Sequence, residues 1–460
     1  MNPLIYQLYL LQIEDYKIGR FWRLLFQKGI YFPGQPLRKK LVWTKKAILI
    51  FVLAIILFCL IAYLSFSASL LSGILVTVIS LLIFPLFYTL LLIIILPFDL
   101  IGKIIVKSRA KRTIGLAKDL KIIGIAGSYG KTTLRNLLCS VLKEKYKVLS
   151  PEGNINTAVG ISAWINANNI SDSDVLIIEF GEEYLGDNKK IAEIFKTDIV
   201  IITGVNEAHL ERFGSIEKTA EAIFESVKYA KPEAKVFINS SDNNAISFYS
   251  KYVGKREVVI YKDESTNKKF DQDNLSQSAE FSGIGQVKTK ILGDYIFSDI
   301  AISIMIANLL ELSKEQVGAG VEKLAPIKHR LEPIKGAGDV LVIDDSYNGN
   351  PAGVESAINL LGFFERKRKI FLTPGLVETG AKNNQVHEKI GMQLAKVADK
   401  IILIKNSATI HIAKGLSKAN FSDENVIWFD SGPEAHKNLS NILKPGDVIL
   451  FQNDWGDQYF

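Results

Sequence analysis

The chain has 460 residues, which is long enough for two or three domains with full hydrophobic cores. Its net charge of +7 is unevenly distributed. Residues 1–112 contain 14 lysines and arginines against 3 aspartates and glutamates, a net charge of +11, whereas the remaining residues contain 41 against 45, a net charge of −4. Because the basic excess is confined to the N-terminal part, the charge does not support nucleic-acid binding.

The two cysteines, Cys59 and Cys139, suggest neither a disulfide framework nor a zinc site, which is typical of proteins in a reducing cytosol.

The first 46 residues form an amphipathic and basic N-terminal segment. Residues 4–26 combine aromatic residues, leucines and a few charges. This pattern predicts an amphipathic helix lying in a membrane interface. A helix that packs into a protein core is an equally compatible alternative. Charges interrupt the segment and no cleavage site follows it, so it is not a signal peptide.

Residues 47–112 contain two long apolar runs, Ala47–Leu64 and Ile74–Phe98. Each is close to the roughly 20 residues that an α-helix needs to cross a bilayer. Basic residues flank the pair of runs on both sides: Arg38, Lys39, Lys40, Lys45 and Lys46 before the first, and Lys103, Lys107, Arg109, Lys111 and Arg112 after the second. The positive-inside rule therefore predicts a transmembrane hairpin in the inner cell membrane, with both of its flanks and the rest of the chain in the cytoplasm. A buried helical hairpin of a soluble protein is the alternative.

From Thr113 onwards, short β-branched segments alternate with helical patterns, which predicts doubly wound parallel sheets. The first predicted strands are Lys121–Ala126, Val175–Glu179, Ile199–Thr203, Val236–Asn239 and Val258–Tyr261, followed by a helix over Tyr295–Leu312. The second series is Val340–Asp344, Lys369–Thr373, Lys400–Ile404, Val426–Phe429 and Val448–Gln452. We therefore expect two α/β domains: residues 113–327, built on a P-loop sheet, and residues 328–460, which are Rossmann-like.

The segment 121–133 predicts a phosphate-binding loop. A β-branched strand leads into a glycine-rich stretch and then into a helical pattern. Glycines let backbone N–H groups turn towards an anion, and the helix N-terminus adds a partial positive charge. Lys131 would reach the β- and γ-phosphates of ATP, and the Thr132 hydroxyl would bind Mg²⁺. The strict Walker pattern has a glycine where this chain has Ile125, so the loop is a narrower variant; a glycine turn that binds nothing is the alternative.

Polar residues also follow several predicted strands, at the sheet edge where open α/β sheets bind ligands. Glu179 ends one strand, and His209 follows the next. Together with the phosphate loop, they are candidate Mg²⁺ ligands, although an acid at a strand end and a loop histidine are also common without a metal. A third cluster, residues 344–351, contains two adjacent aspartates and follows the first strand of the second domain. An Asp/Asn-rich turn explains its composition but not the paired acids.

These motifs resemble those of the Mur ligase family. The matching segments are Gly124-x-x-Gly-Ser-x-Gly-Lys-Thr-Thr133, Gly153-Asn-Ile-Asn156, Glu179-Phe-Gly, Asn206-x-x-x-His-Leu-Glu-x-Phe-Gly-Ser215, His329-Arg-Leu-Glu332, Asp344-Asp-Ser-Tyr-Asn-x-Asn-Pro351 and Glu378-Thr-Gly with His387-Glu388. They occur in the family's order from about Thr113 to the C-terminus, and they are most similar to the MurF type.

The resemblance implies an ATP-dependent amide-bond ligase that acts through an acyl phosphate. It would use ATP and Mg²⁺ to join an amino acid or dipeptide to a nucleotide- or lipid-linked cell-wall precursor. The implied catalytic residues are Lys131, Glu179 and His209, and the implied metal ligands are Thr132, Glu179 and His209. The implied nucleotide-binding residues are Gly127, Ser128, Gly130, Lys131, Thr132, Thr133, Asn206, Arg330, Asp345, Asn348 and Asn350. The implied substrate-binding residues are Asn154, Asn156, Glu378 and His387.

The sequence departs from the family at two places. Many Mur ligases carry a carbamylated lysine in the helix after the Phe-Gly-Ser turn, and a gapless alignment places Ile223 there. Lys218 and Lys228 lie five residues away on other helix faces, and Glu225 is a candidate substitute. In addition, MurF enzymes begin with a soluble domain that recognises a uridine nucleotide, and here the apolar hairpin occupies its place.

Two other functions are compatible with a membrane hairpin joined to a phosphate loop. A bacterial membrane tyrosine kinase would be expected to have a tyrosine-rich tail, but the last residues contain only Tyr459. A non-catalytic scaffold that retains a nucleotide-binding fold is the other alternative, because fold alone does not establish activity. ADP release that depends on both a carboxylate and an amine would distinguish the ligase from both.

Overall fold

The computed structural model describes residues 2–29, 41–182, 184–206, 210–347, 349–377 and 379–452. Its contacts divide the chain into two compact units, with the division between Ile105 and Val106. We describe each unit by itself. The predicted residues Arg38, Lys39, Lys40, His209, Asn348 and Glu378 lie outside the described residues.

The N-terminal unit is helical. Its helices are α1 (Pro3–Ile13), α2 (Ile18–Lys28), α3 (Lys45–Ala68), α4 (Leu70–Leu82) and the start of α5 (Phe84–Leu116). The predicted single interfacial helix over residues 4–26 is wrong in one respect, because the chain turns between α1 and α2. Helix α1 is buried from Tyr6 to Leu11, and the Tyr88 hydroxyl donates to the Leu4 carbonyl at 2.9 Å. For α1 the core-packing alternative is therefore the observed one.

Helices α3 and α5 are long and apolar enough to cross a membrane, judged by length and composition, and most of their apolar side chains are exposed. The first predicted run lies within α3. The second prediction, a continuous run over Ile74–Phe98, is wrong, because the helix breaks at Ile83. Proline has no N–H to donate, so Pro85 fits the first turn of a new helix and not the middle of a continuous one.

The predicted P-loop sheet is confirmed in the second unit. Its six strands, in the order β2-β3-β1-β4-β5-β6, are all parallel. The strands are β1 (Lys121–Ala126), β2 (Val148–Leu149), β3 (Val175–Glu179), β4 (Ile199–Ile202), β5 (Lys235–Asn239) and β6 (Val258–Tyr261). Alternate side chains of β1 enter separate cores, Ile123 and Ile125 on one face and Ile122 and Ala126 on the other. Both faces are therefore covered, as expected for a doubly wound sheet.

Helices cover the two faces of this sheet. They are α6 (Lys131–Leu142), α7 (Ala158–Ala167), α8 (Asp187–Phe195), α9 (Leu210–Phe213), α10 (Ile216–Lys228), α11 (Asn243–Phe248), α12 (Tyr295–Leu309) and α13 (Lys314–Lys323). Helix α12 ends three residues earlier than predicted. Short 3₁₀ turns occur at Tyr249–Lys251, Ala337–Asp339, Gly380–Lys382 and Asp423–Asn425.

A three-stranded antiparallel sheet between β6 and α12 was not predicted. It consists of β7 (Thr266–Asp271), β8 (Ser276–Phe281) and β9 (Gly285–Thr289). Its strands are short and largely polar, so their hydrophobic alternation is weak. Tertiary packing stabilises them: the Phe270 ring lies 5.2 Å from the Phe364 ring of the C-terminal domain, edge to face.

The C-terminal sheet has the order β10-β11-β15-β12-β13-β14. Its strands are β10 (Glu332–Lys335), β11 (Leu341–Asp345), β12 (Lys369–Thr373), β13 (Lys400–Ile404), β14 (Val426–Phe429) and β15 (Val448–Gln452), with helices α14 (Pro351–Gly362), α15 (Asn383–Leu394), α16 (Thr409–Lys418) and α17 (Gly432–Ile442). All pairs are parallel except β10 with β11. The sequence missed β10 because it is short and contains Pro333, which a sheet tolerates at an edge. The predicted domain boundaries stay predictions.

Candidate active site

The phosphate loop follows β1 and ends at α6. Gly127 has φ 144°, and a Cβ there would lie 2.1 Å from Thr203 Oγ1, so only glycine fits. Gly130 has φ 75° and is the N-cap of α6. No side chain caps this helix, whereas Thr157 caps α7 and Ser215 caps α10. The first N–H groups of α6 are thus left open for an anion.

Lys131 begins α6 and is held inside the loop. Its ammonium donates to the Gly127 carbonyl and forms an ion pair with Glu182 Oε1 at 3.2 Å. The Glu182 side chain is only 2% exposed, and its other oxygen, Oε2, accepts no hydrogen bond from the described residues. The sequence analysis missed Glu182. Its position three residues after Glu179, in the loop at the same strand end, could have indicated it.

Glu179 ends β3 beside the loop. Its Oε2 accepts from the Thr132 hydroxyl at 3.2 Å. Arg135 Nη1 lies 3.1 Å from Oε1, an ion pair that is not aligned as a hydrogen bond, so Oε1 accepts none within the described part of the chain. Burial raises the pKa of Glu179, while Arg135 and Lys131 oppose that shift. Thr132 and Glu179 thus place two oxygen ligands of the kind that Mg²⁺ prefers next to the phosphate loop.

Arg135 is a second residue that the sequence analysis missed. Besides pairing with Glu179, it donates to the carbonyls of Pro151 and Gly153 at 2.8 and 3.1 Å. It thereby ties the loop that contains Asn154 and Asn156 to α6. Asn154 is exposed, whereas Asn156 packs so closely on Gly181 that a Cβ there would lie 2.4 Å from Asn156 Cγ. Both predicted substrate-binding asparagines therefore lie near the end of β3.

A hydrogen bond connects the two α/β domains at the loop. Asn206 donates from its backbone N–H to Ser128 Oγ at 3.1 Å and from Nδ2 to Asn350 Oδ1 at 3.1 Å. Asn350 is the N-cap of α14, where it also accepts from the N–H of Gly353. The predicted nucleotide-binding residues Ser128, Asn206 and Asn350 are thus brought together. Thr133 is buried in the first turn of α6, where its backbone N–H has no partner within the helix.

Arg330 and Asp345 come from the C-terminal domain. The Arg330 guanidinium lies 4.6 Å from the centre of the Tyr347 ring, a cation–π contact. Burial raises the pKa of the Asp345 carboxyl to about 6, although the Arg330 guanidinium and the backbone N–H of Leu331 oppose the shift.

The turn that contains Arg330 has two residues in the left-handed region, His329 with φ 59° and Leu331 with φ 46°. His329 Nδ1 lies 2.7 Å from Asp344 Oδ2, and its backbone N–H donates to Glu332 at 3.0 Å. Among the described residues these three side chains are the one group whose metal-ligating atoms all lie within 4.8 Å of one another. Since their atoms already bond one another, we interpret the group as the clamp of the turn that contains Arg330.

His387 was predicted to bind substrate, but the structure does not support a direct contact. The residue is fully buried on α15. Its Nδ1 lies 2.7 Å from the Asn383 carbonyl, and its Nε2 accepts from the N–H of Leu376 at 2.9 Å. Both nitrogens are therefore used, and burial lowers the pKa of the ring. His387 fixes the loop that follows β12.

The position of the family's carbamylated lysine has no ligand function here. Ile223 is fully buried in the core beneath α10. Glu225 accepts from the backbone N–H groups of Gly186 and Lys189 at 2.9 and 3.1 Å. It therefore caps the N-terminus of α8, which has no cap of its own. The suggestion that Glu225 replaces the missing lysine is not supported by this geometry.

A cleft lies elsewhere, between the three-stranded sheet, α13 and the C-terminal domain. It measures about 860 Å³ and is lined by polar side chains such as Gln277, Lys288 and Arg366. None of its lining residues is a predicted site residue. We therefore assign the active site from the phosphate loop and not from cavity size.

A strand that runs into a glycine loop and an uncapped helix, opposed by a second α/β domain, defines a two-domain nucleotide-binding protein of the P-loop class. The sequence comparisons narrow this class. The profile of the Mur ligase middle domain matches residues 125–307, and that of the Mur ligase glutamate ligase domain matches residues 329–452. The chain therefore belongs to the Mur ligase family, whose members are ATP-dependent enzymes that form amide bonds. The resemblance seen in the motifs is confirmed, and neither a kinase nor a scaffold is favoured.

Curated relatives and solved structures agree with this assignment. The UDP-N-acetylmuramoyl-tripeptide–D-alanyl-D-alanine ligase of Mycobacterium tuberculosis (strain CDC 1551 / Oshkosh) is 26% identical over 361 residues, which are 73% of this chain and 70% of that protein. The enzyme of the same name from Bacillus subtilis (strain 168) is 26% identical over 349 residues, 73% of each chain. MurF from Acinetobacter baumannii has a TM-score of 0.68 at 21% identity, covering 76% of this chain and 77% of its own. MurF from Thermotoga maritima in complex with ADP has a TM-score of 0.65 at 23% identity, covering 77% and 81%.

Proposed function

We propose that this protein is a MurF-like ligase that uses ATP to join D-alanyl-D-alanine to the peptide of a UDP-N-acetylmuramoyl-tripeptide precursor. The names of the curated relatives supply the substrates. The observation that carries the proposal is the grouping of Lys131, Thr132 and Glu179 at the loop, with Asn350 of the C-terminal domain bonded to Asn206 beside it. One nucleotide could thus contact both domains.

In this proposal the loop holds the ATP phosphates. Backbone N–H groups at residues 129–133, including those of Gly130 and Thr133, donate to phosphate oxygens, and Gly127 lets the chain approach closely. Lys131 leaves Glu182 and places its charge on the transferring phosphoryl group. Asn206 and Asn350 line the nucleotide pocket, together with Asn348 as the family motif implies. Arg330 and Asp345 contact the nucleotide from the C-terminal domain.

The reaction transfers the γ-phosphate to the substrate carboxylate, which gives an acyl phosphate and ADP. The amine of the dipeptide attacks the acyl carbon, and phosphate leaves as the amide forms. Asn154 and Asn156 orient the carboxyl substrate together with Glu378, whereas His387 acts only through the loop it fixes. The protein supplies position and charge neutralisation, which are the main demands of phosphoryl transfer.

Thr132 and Glu179 fit a Mg²⁺ ion, because Glu179 Oε1 is buried and accepts no hydrogen bond from any described residue. His209 would be the further ligand that the family motif implies. When bound, Mg²⁺ would neutralise phosphate charge during transfer. Lys131 and Arg135 hold the surrounding carboxylates in place before it binds.

We also propose that α3 and α5 anchor the enzyme in the inner membrane, with the α/β domains in the cytoplasm. The exposed apolar side chains of both helices and the basic residues after residue 102 support this. A precursor at the membrane surface, either nucleotide- or lipid-linked, would then be within reach.

The test is ADP release by the full-length protein in detergent micelles. We expect release only when UDP-N-acetylmuramoyl-tripeptide, D-alanyl-D-alanine and ATP are all present, with the pentapeptide product identified by mass spectrometry. Replacing D-alanyl-D-alanine by L-alanyl-L-alanine is the control. ADP release that is independent of both co-substrates, or that yields a phosphorylated protein, would contradict the proposal.

A further inference from the structure

Glu182 is a buried acid that the proposed reaction does not yet use. Its side chain is 2% exposed and faces Lys131 across the phosphate loop, with Oε1 at 3.2 Å from the ammonium nitrogen. Its Oε2 is buried and accepts no hydrogen bond from the described residues. Buried carboxylate oxygens are nearly always bonded, so an open one needs an explanation.

Glu179, at the end of β3, shows the same feature, and it contacts Thr132, the residue after Lys131. Its Oε2 bonds Thr132, while its Oε1 is buried and lacks a hydrogen bond within the described part of the chain. Lys131 and Thr132 are adjacent in sequence, so the two carboxylates that contact them lie at the same end of the loop. Each carboxylate thus has one buried oxygen that accepts no hydrogen bond from the described residues, although Glu179 Oε1 lies 3.1 Å from Arg135 Nη1 in an ion pair.

Charge balance shows what the open oxygens would bind. Lys131 and Arg135 now offset Glu182 and Glu179. When Lys131 turns to the ATP phosphates, as the proposed function requires, Glu182 is left buried and unpaired beside further negative charge. A buried charge without a partner is strongly destabilising. A divalent cation held by oxygen ligands would remove that cost.

The two positions at which the family comparison would seek a further metal ligand, residues 223 and 225, do not provide one. Ile223, at the place of the family's carbamylated lysine, is buried among apolar side chains. Glu225 is held by the backbone N–H groups of Gly186 and Lys189. Ile223 has no ligating atom, and Glu225 could supply a negative oxygen only by breaking these two hydrogen bonds.

We propose that Glu182 is a ligand of a divalent cation beside Glu179, and that it exchanges Lys131 for this cation when nucleotide binds. The inference rests on the proposed function only for the binding of nucleotide at the loop. With Glu182 as a ligand, metal binding is independent of carbon dioxide, because the negative charge of the ligand belongs to a carboxylate and not to a carbamate.

The test is a Mn²⁺ titration of the full-length protein in detergent micelles with a non-hydrolysable ATP analogue, in which free Mn²⁺ is read by electron paramagnetic resonance. We expect the wild type to bind two Mn²⁺ per bound nucleotide in buffer depleted of carbon dioxide. In Glu182→Gln the second Mn²⁺ should bind at least about tenfold more weakly. Glu225→Gln, which alters a buried carboxylate used only as a helix cap, is the matched control and should retain both ions. Glu182→Asp should bind the second ion more tightly than Glu182→Gln.

Three results would overturn the inference. The first is unchanged Mn²⁺ binding in Glu182→Gln. The second is tighter binding of metal-free nucleotide in that variant with the Mn²⁺ count unchanged, which would show that Glu182 acts only on Lys131. The third is loss of the second ion from the wild type on removal of bicarbonate, which needs no variant and would assign the ligand to a carbamylated lysine. Failure of the wild type to bind the ATP analogue, read separately by displacement of a fluorescent ADP, would instead contradict the proposed function.

Discussion

Lys131 has two partners in this structure, and both affect what its removal would do. It donates to the Gly127 carbonyl within the loop and pairs with Glu182, which is buried. The lysine therefore contributes to the stability of the loop as well as to the proposed chemistry. A variant at this position is expected to have two separable effects.

We expect Lys131→Ala to abolish ADP release and to lower the free energy of unfolding by about 3 kcal/mol, because Glu182 loses its partner in a buried site. Urea denaturation and an ADP-release assay measure the two effects. Lys143→Ala, at an exposed position just after α6, should change neither. Retained ADP release in Lys131→Ala would contradict the assignment of the loop.

Restoring a lysine at position 223 should not restore the family's metal ligand. Ile223 is fully buried among apolar residues, so Ile223→Lys places a charge in the core and should destabilise the protein by several kcal/mol. Glu221→Lys, at an exposed position on the same helix, should stay within about 0.5 kcal/mol of the wild type. Thermal unfolding checks both. An Ile223→Lys protein of unchanged stability whose activity rises with bicarbonate would show that position 223 faces the metal.

His387 gives stability a pH dependence. Burial lowers its pKa in the folded state, so the unfolded chain binds a proton first as the pH falls below about 6.5. The contribution of His387 to stability is therefore full at pH values above its unfolded pKa and decreases below it. The free energy of unfolding of the wild type relative to that of His387→Gln should therefore be larger at about pH 7.5 than at about pH 5.5. Urea denaturation at both values measures this difference, and a constant difference would show that His387 is not buried as a neutral ring.

At the level of elements, the active site is built where β1, β3 and β4 end. Parallel strands bring their carboxyl ends to one edge, so the loop after β1, Glu179 after β3 and Asn206 after β4 become neighbours. The glycine loop is the tightest of these connections. Two of its glycines have positive φ, but the space around them differs.

We expect Gly127→Ala to be more damaging than Gly130→Ala. At Gly127 a Cβ would lie 2.1 Å from Thr203 Oγ1, whereas at Gly130 the nearest atom, Thr203 Cβ, is 3.8 Å away. Gly130→Ala should cost only the left-handed conformation, about 1–2 kcal/mol, and Gly127→Ala should cost more and also weaken nucleotide binding. Urea denaturation and fluorescent ADP binding give the order. Equal losses of stability in the two variants would show that Thr203, which follows β4, moves easily away from an added Cβ.

At the level of the whole molecule, an apolar helical unit precedes the α/β domains, and the excess of basic residues lies in residues 1–112. The basic residues of the N-terminal part include Lys45 and Lys46 at the start of α3, and five more between residues 103 and 112 on α5. Helix α4 has only 13 residues, about 20 Å, and is too short to cross a bilayer of about 30 Å. Among the described helices, α3 and α5 are thus the two that are long enough for the proposed crossings.

We therefore predict that both termini are cytoplasmic. A C-terminal tag should be protected from a membrane-impermeant reagent in intact cells and should become reactive after permeabilisation. A cysteine placed at the exposed Leu71 of α4 should react from outside. Labelling of the C-terminal tag in intact cells would contradict the topology.

The sequence by itself determined the elements whose signals are local. The glycines of the phosphate loop and the strands follow from turn residues and β-branched runs that are close in the chain. All ten predicted strands agree with the structure to within one residue at each end. Only Val340–Asp344 is shifted at both ends, by a single residue. The family motifs identified the ligase class for the same reason, since each motif is a short segment of fixed order.

Only the tertiary structure decided which side chains meet. The Lys131–Glu182 pair joins residues 51 apart in the chain, and the Asn206–Asn350 hydrogen bond joins residues 144 apart. The structure also showed that both ring nitrogens of His387 form hydrogen bonds with backbone groups. It showed in addition that Phe270 packs on the C-terminal domain and so stabilises the polar strands of the three-stranded sheet. Local patterns encode periodicity and turns, but the pairing of buried charges and the burial of a polar ring depend on packing between distant segments.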